Sequence, residues 1–110
     1  MAFHVDFTDE AEACADEIYR WIAERSPDGA VRWKRALERT VERIADAADT
    51  FALAPESDAF REPVREIPFK TRKGRKYRAL FVIRDDVATI ISVRGAGQDL
   101  ISPDDVPLPD

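Results

Sequence analysis

The chain has 110 residues, 45% of them hydrophobic and 35% charged, which is the size and balance of one globular domain and too little chain for two. No apolar run approaches the ~20 residues that span a bilayer. The N-terminal stretch Met1–Phe7 lacks the basic flank and apolar core of a signal peptide, and the single cysteine, Cys14, has no internal disulfide partner, so a cytoplasmic location is expected.

The net charge of −5 is unevenly spread. Residues 61–78 hold eight arginines and lysines against two glutamates, a local excess of six positive charges, so the remainder of the chain carries −11. A basic segment on an acidic body suits local recognition of an acidic partner or a polyanion. It does not suit a protein that coats nucleic acid without sequence preference, because the rest of the surface is repelled.

Residues 3–7 alternate apolar and polar, the period of a half-buried strand. Thr8 offers an N-cap hydroxyl, and Asp9 and Glu10 put negative charge at the positive end of a following helix. Ala11, Ala15, Ile18 and Ile22 line one face of that helix. Ser26-Pro27-Asp28-Gly29 ends it, and Ser26 with Pro27 behind it starts another. The second helix is expected over about residues 28–48, with Trp33, Leu37, Val41, Ile44 and Ala48 as its apolar stripe. The short link makes the pair an antiparallel helical hairpin.

Residues 49–62 read as loop, with a turn at Pro55-Glu56-Ser57-Asp58. A short strand is expected from Val64 to Phe69, at a sheet edge because Pro68 has no N–H for a ladder. Lys70 to Lys76, centred on Gly74, forms a basic turn. Strands Tyr77–Arg84 and Val87–Arg94 flank a two-residue turn, Asp85-Asp86. Leu80 and Val82 fall on one face and Phe81 and Ile83 on the other, so these strands belong in the middle of a sheet. One face receives the helices; the other must be covered by a loop, the tail or a partner.

The predicted fold is therefore α+β, in the order β-α-α-β-β-β: an antiparallel helical hairpin packed on a small curved, mainly antiparallel sheet. The domain is expected over residues 1–96. Residues 97–110, acidic and rich in proline, read as a partly disordered tail.

That order resembles the RelE/ParE superfamily, the toxins of type II toxin–antitoxin pairs. The resemblance covers about residues 3–99. It rests on Arg65-Glu66-Ile67, the basic turn, Tyr77-Arg78-Ala79-Leu80-Phe81-Val82-Ile83 and Val93-Arg94-Gly95-Ala96-Gly97-Gln98-Asp99, together with Leu53-Ala54-Pro55-Glu56 after the second helix. It implies growth inhibition, plasmid stabilisation, and a cognate antitoxin that silences the toxin in a hetero-oligomer. It also implies one of two activities on a shared fold. ParE-like members bind and poison DNA gyrase without chemistry of their own, whereas RelE-like members cleave mRNA in the ribosomal A site with clustered basic residues.

The choice between them falls to the site. Arg78 matches the family arginine after the strand tyrosine, where a guanidinium clamps a phosphate through two parallel hydrogen bonds. The alternative is a strand-end arginine paired with a carboxylate. If the chain is an interferase, Arg78, Arg94 and Arg65 are its candidate catalytic residues, with Lys70 or Arg72 moving the proton. Against this, Glu66 and Pro68 stand where nuclease members carry lysines, and Gly95 and Gly97 follow the last strand. The tyrosines, Tyr19 and Tyr77, are not C-terminal, and the one histidine, His4, lies on the first strand. One histidine and one cysteine make no metal site, and no cofactor is expected.

Arg72, Lys73, Arg75 and Lys76, with Trp21, form the candidate partner-binding set. The same basic run also reads as a solvated hairpin tip, and Trp33 as core. The favoured function is a ParE-like poison of gyrase. The alternatives are a ribosome-dependent endoribonuclease and an inactive relic that only binds its antitoxin.

Overall fold

Thr8 closes the first strand and opens the first helix without a linker. Its hydroxyl accepts from the Ala11 N–H at 3.1 Å, and Asp9, Glu10 and Glu12 occupy the first turn. The computed structural model describes residues 2–95, 100, 102–106 and 108–109. In chain order they form β1 (His4–Phe7), α1 (Asp9–Arg25), α2 (Pro27–Ala47), β2 (Arg65–Lys70), β3 (Lys76–Arg84) and β4 (Val87–Gly95). Single 3-10 turns follow α2 at Ala48–Thr50 and Pro55–Ala59. The α+β order expected from the sequence is the one observed.

Ser26 alone separates the helices and serves both. Its N–H donates to the Ile22 carbonyl at 2.7 Å, closing α1, and its hydroxyl accepts from the Gly29 N–H at 3.0 Å, opening α2 behind Pro27. A Cβ on Gly29 would stand 2.9 Å from the Ser26 Oγ, so the glycine keeps this cap clear. The second helix ends at Ala47, one residue short of expectation. Ala48 stays buried because the 3-10 turn carries it inward. Trp33, Leu37 and Ile44 are buried as the stripe requires, while Val41 is only half-buried. Thr40 is also buried in this face, its hydroxyl satisfied by the Ala36 carbonyl at 2.9 Å.

The four strands form one sheet in the order β1-β4-β3-β2. β1 runs parallel to β4, and the other neighbours are antiparallel. β2 is an edge strand, which accommodates Pro68. Between β3 and β4 the register shifts: Leu80 faces Ser92 and Phe81 faces Ile90. Ile91 is the extra residue, so Ile90 and Ile91 go to opposite faces.

The sheet consequently has two cores. On the helix side Ile67, Ala79, Phe81, Ala88, Ile90 and Val93 pack with Trp33, Leu37 and Ile44. On the other side Leu80, Val82 and Ile91 pack with Ala54, Phe60 and Val64 of the loop after α2, and with Val106 of the tail. That second face, which the apolar alternation of β3 requires to be covered, is covered by the chain's own loop and tail. Asp85, the first residue of the tight turn between β3 and β4, has a positive φ of 56°.

Candidate functional site

The loop Ala54–Val64 reaches the second face as a folded unit. Pro55 starts its 3-10 turn, the Ala54 N–H donates to the Val64 carbonyl at 2.8 Å, and the Val64 N–H donates to the Ser57 hydroxyl at 2.9 Å. These bonds present Glu56 to Arg78. Nη1 of Arg78 donates to Oε1 of Glu56 at 2.8 Å and Nη2 to Oε2 at 2.5 Å, while Nη1 also reaches Oε1 of Glu66 at 3.1 Å. The Glu56 side chain is 1% exposed and that of Arg78 is 19% exposed. The hydrogen bonds to Glu56 raise the Arg78 pKa above its ordinary value against the opposing effect of burial, with Glu66 adding to the rise.

Six residues along the same face of β3, Arg84 repeats the arrangement. Its Nε donates to Oε1 of Glu62 at 3.1 Å and its Nη2 to Oε2 at 2.9 Å. Residues 78, 80, 82 and 84 alternate with those facing the helices, so Arg78 and Arg84 bracket Leu80 and Val82. Two forked arginine–carboxylate pairs therefore strap the loop across the second core.

The three arginines considered for RNA cleavage are not gathered at one point. Arg94 lies directly opposite Arg78 in the register, so their side chains leave the same face. Arg65 lies opposite Phe81, which faces the helices, and its Nη1 donates to the Phe51 carbonyl at 2.6 Å on that other side. Glu66 brings a carboxylate to Arg78, and Pro68, directly opposite Arg78, has no side-chain donor. What the Arg78 cluster can do chemically follows from its bonds: a phosphate would have to displace Glu56, a buried bidentate partner of the guanidinium.

The partner-binding candidates are brought together better. Aromatic contacts hold the β2–β3 hairpin on α2: Trp33 meets Tyr77 edge-on at 5.6 Å between centroids and Phe69 at 6.1 Å, and Phe69 stacks on Tyr77 at 5.8 Å. The hairpin tip thereby lies over the corner between α1 and α2. Gly74 makes the tight turn possible, because its N–H donates to the Thr71 carbonyl at 3.1 Å and a Cβ would come within 2.1 Å of the Thr71 Oγ1. Trp21 is 43% exposed at this corner, with the guanidinium of Arg25 3.8 Å and that of Arg75 5.4 Å from its ring centre. A cleft of about 250 Å³ separates tip and corner, lined by Trp21, Arg32, Trp33, Lys73, Arg75 and Tyr77 among others. Arg72 and Lys76 are exposed on the tip outside that lining.

The sequence reading missed Glu56, Glu62 and Arg84 as a set. The signal was present in the period-two series Arg78-Leu80-Val82-Arg84, whose charged ends needed partners from some other segment. His4 is exposed on β1, and Cys14 is half-buried with a free thiol. Ala96–Asp99, part of the resemblance, lies outside the described residues.

Among the described residues no helix is long and apolar enough to cross a membrane. A family model described as the ParE toxin of the type II toxin–antitoxin system parDE matches residues 5–100. Comparison with curated proteins and with solved structures gave no match.

Proposed function

The chain belongs to the ParE toxin family of type II toxin–antitoxin systems, and we propose that it arrests growth by binding and poisoning DNA gyrase, without cutting RNA. The observation that carries this reading is the state of Arg78. Its guanidinium is occupied by the buried Glu56 and by Glu66, while Arg65 lies on the opposite face of the sheet. Phosphoryl chemistry at a 2′-hydroxyl needs uncompensated positive charge around the scissile group to stabilise the developing charge. A guanidinium already bound through both terminal nitrogens by a buried carboxylate is not free to supply that charge.

Inhibition by binding asks less of the chain: an exposed, rigidly held surface. The hairpin tip with Arg72, Lys73, Arg75 and Lys76, backed by Trp21, supports that role as the contact surface. Aromatic and arginine side chains are the residue types that concentrate binding energy at interfaces. The family implies an antitoxin partner. We assign to that antitoxin neutralisation of the toxin in a hetero-oligomer, in the cytoplasm where gyrase works.

The test is a supercoiling assay with purified chain and purified gyrase. Inhibition in proportion to added chain is expected. Undiminished supercoiling at saturating chain would sink the reading. A ribosome-dependent endoribonuclease is the second reading, and the observation that favours it is the placement of Arg78 and Arg94 side by side on one face.

A further inference from the structure

We propose that the cleft between the hairpin tip and the α1–α2 corner is an anchor site for an acidic peptide segment, seating one carboxylate beside Trp33 and an apolar neighbour against Trp21. This deepens, and rests on, the reading that the chain works by binding other macromolecules.

The charge at the cleft is one-sided. Arg32, Lys73 and Arg75 line it, and no described residue lining it is acidic. This holds on a chain of net charge −5, so the cleft differs in sign from the chain as a whole. The cleft also lies at the start of α2, whose aligned peptide dipoles favour a negative group.

Trp33 supplies a second, independent observation. It lines the cleft, yet its Nε1–H is buried without a hydrogen-bond partner. An unmet buried donor is destabilising, and tryptophan rings that are buried normally find an acceptor. A carboxylate oxygen entering the cleft meets this donor only by displacing the side chains that cover it, a rearrangement that the indole N–H signal reports. Trp21 adds an exposed ring already flanked by Arg25 and Arg75, a surface on which an apolar side chain packs while its acidic neighbour meets the cations.

The volume of about 250 Å³ suits one or two side chains. An extended nucleic acid brings many phosphates along an acidic body that repels them, whereas a short acidic segment places its charge only where the cations are.

The test follows the two indole N–H signals of the full chain by proton–nitrogen correlation NMR. A Trp21→Phe variant, changed at an exposed position, assigns the Trp33 signal. The probes are a short synthetic peptide of alternating leucine and glutamate, the same peptide with glutamine for glutamate, and a short single-stranded oligonucleotide. The glutamate peptide is expected to move the Trp33 signal and the glutamine peptide to leave it in place. The double variant Lys73→Glu, Arg75→Glu should weaken the glutamate peptide by about tenfold or more.

An unmoved Trp33 signal, equal response to both peptides, or unchanged affinity in the double variant overturns the proposal. Stronger movement by the oligonucleotide overturns it in favour of nucleic acid. Gyrase is absent from this titration, so its failure leaves the supercoiling result standing, and the reverse also holds.

Discussion

Arg78 and Glu56 form a forked ion pair in which the carboxylate is almost wholly buried and the guanidinium is shared with Glu66. The pair joins the loop after α2 to a central strand, so it is a tie in the fold before it is anything else. A guanidinium held this way has lost the rotational and electrostatic freedom that a phosphate clamp needs.

Removing one member should therefore cost stability. Glu56→Leu leaves the guanidinium with Glu66 alone and is expected to lower the unfolding free energy by about 3 kcal/mol. The double variant Glu56→Leu, Arg78→Met removes the buried pair and should recover part of that loss, because apolar replacements of similar volume dispense with its desolvation penalty while Glu66, partly open to solvent, loses its cation. Urea titration of the parent, both single variants and the double variant checks this as a cycle. A double variant no better than the worse single change would mean that the pair is not coupled as described.

Arg84 and Glu62 provide the contrast. Their side chains are more open to solvent, so water screens the pair. Arg84→Ala is expected to cost less than about 1 kcal/mol in the same titration, and molar salt should shrink the effect further.

The tight turn at Asp85 offers a change in the opposite direction. Its φ of 56° suits glycine better than aspartate. Asp85→Gly is expected to raise stability by a few tenths to about 1 kcal/mol, the strain relieved exceeding the added freedom of the unfolded chain. Thermal melting that shows a loss would place the aspartate in an interaction that outweighs the strain.

Val106 tests whether the tail belongs to the folded domain, as its burial against Phe60, Leu80, Val82 and Ile91 indicates. Val106→Ala should cost about 1–2 kcal/mol by loss of packed methyl groups. Chemical denaturation showing no change would mean that the tail contributes nothing to the second core.

Much of this architecture was legible in the sequence for definite reasons. Thr8 and Ser26 are capping hydroxyls at the two helix starts, and Pro68 marks an edge strand. The doubly apolar stretch Leu80–Ile83 marks a central one. Each is a local signal with a local physical cause. The cluster around Arg78 was not legible, because its meaning depends on Glu56, which lies 22 positions earlier and is delivered by loop folding. Periodicity shows that Arg78 and Leu80 share a face, but it does not show what arrives over that face. The approach of Trp21 to Arg75 was hidden for the same reason: it depends on the hairpin tip bending back over the helix corner.

The most direct test of a toxin that acts by binding and not by cleavage is to incubate the purified chain with ribosomes stalled on a defined mRNA and map the 3′ ends in the A site. Intact mRNA at chain concentrations that inhibit gyrase is the expected result. A-site cleavage that disappears in a folded Arg78→Lys variant would contradict it, and would show that Arg78 exchanges its carboxylates for a phosphate on the ribosome.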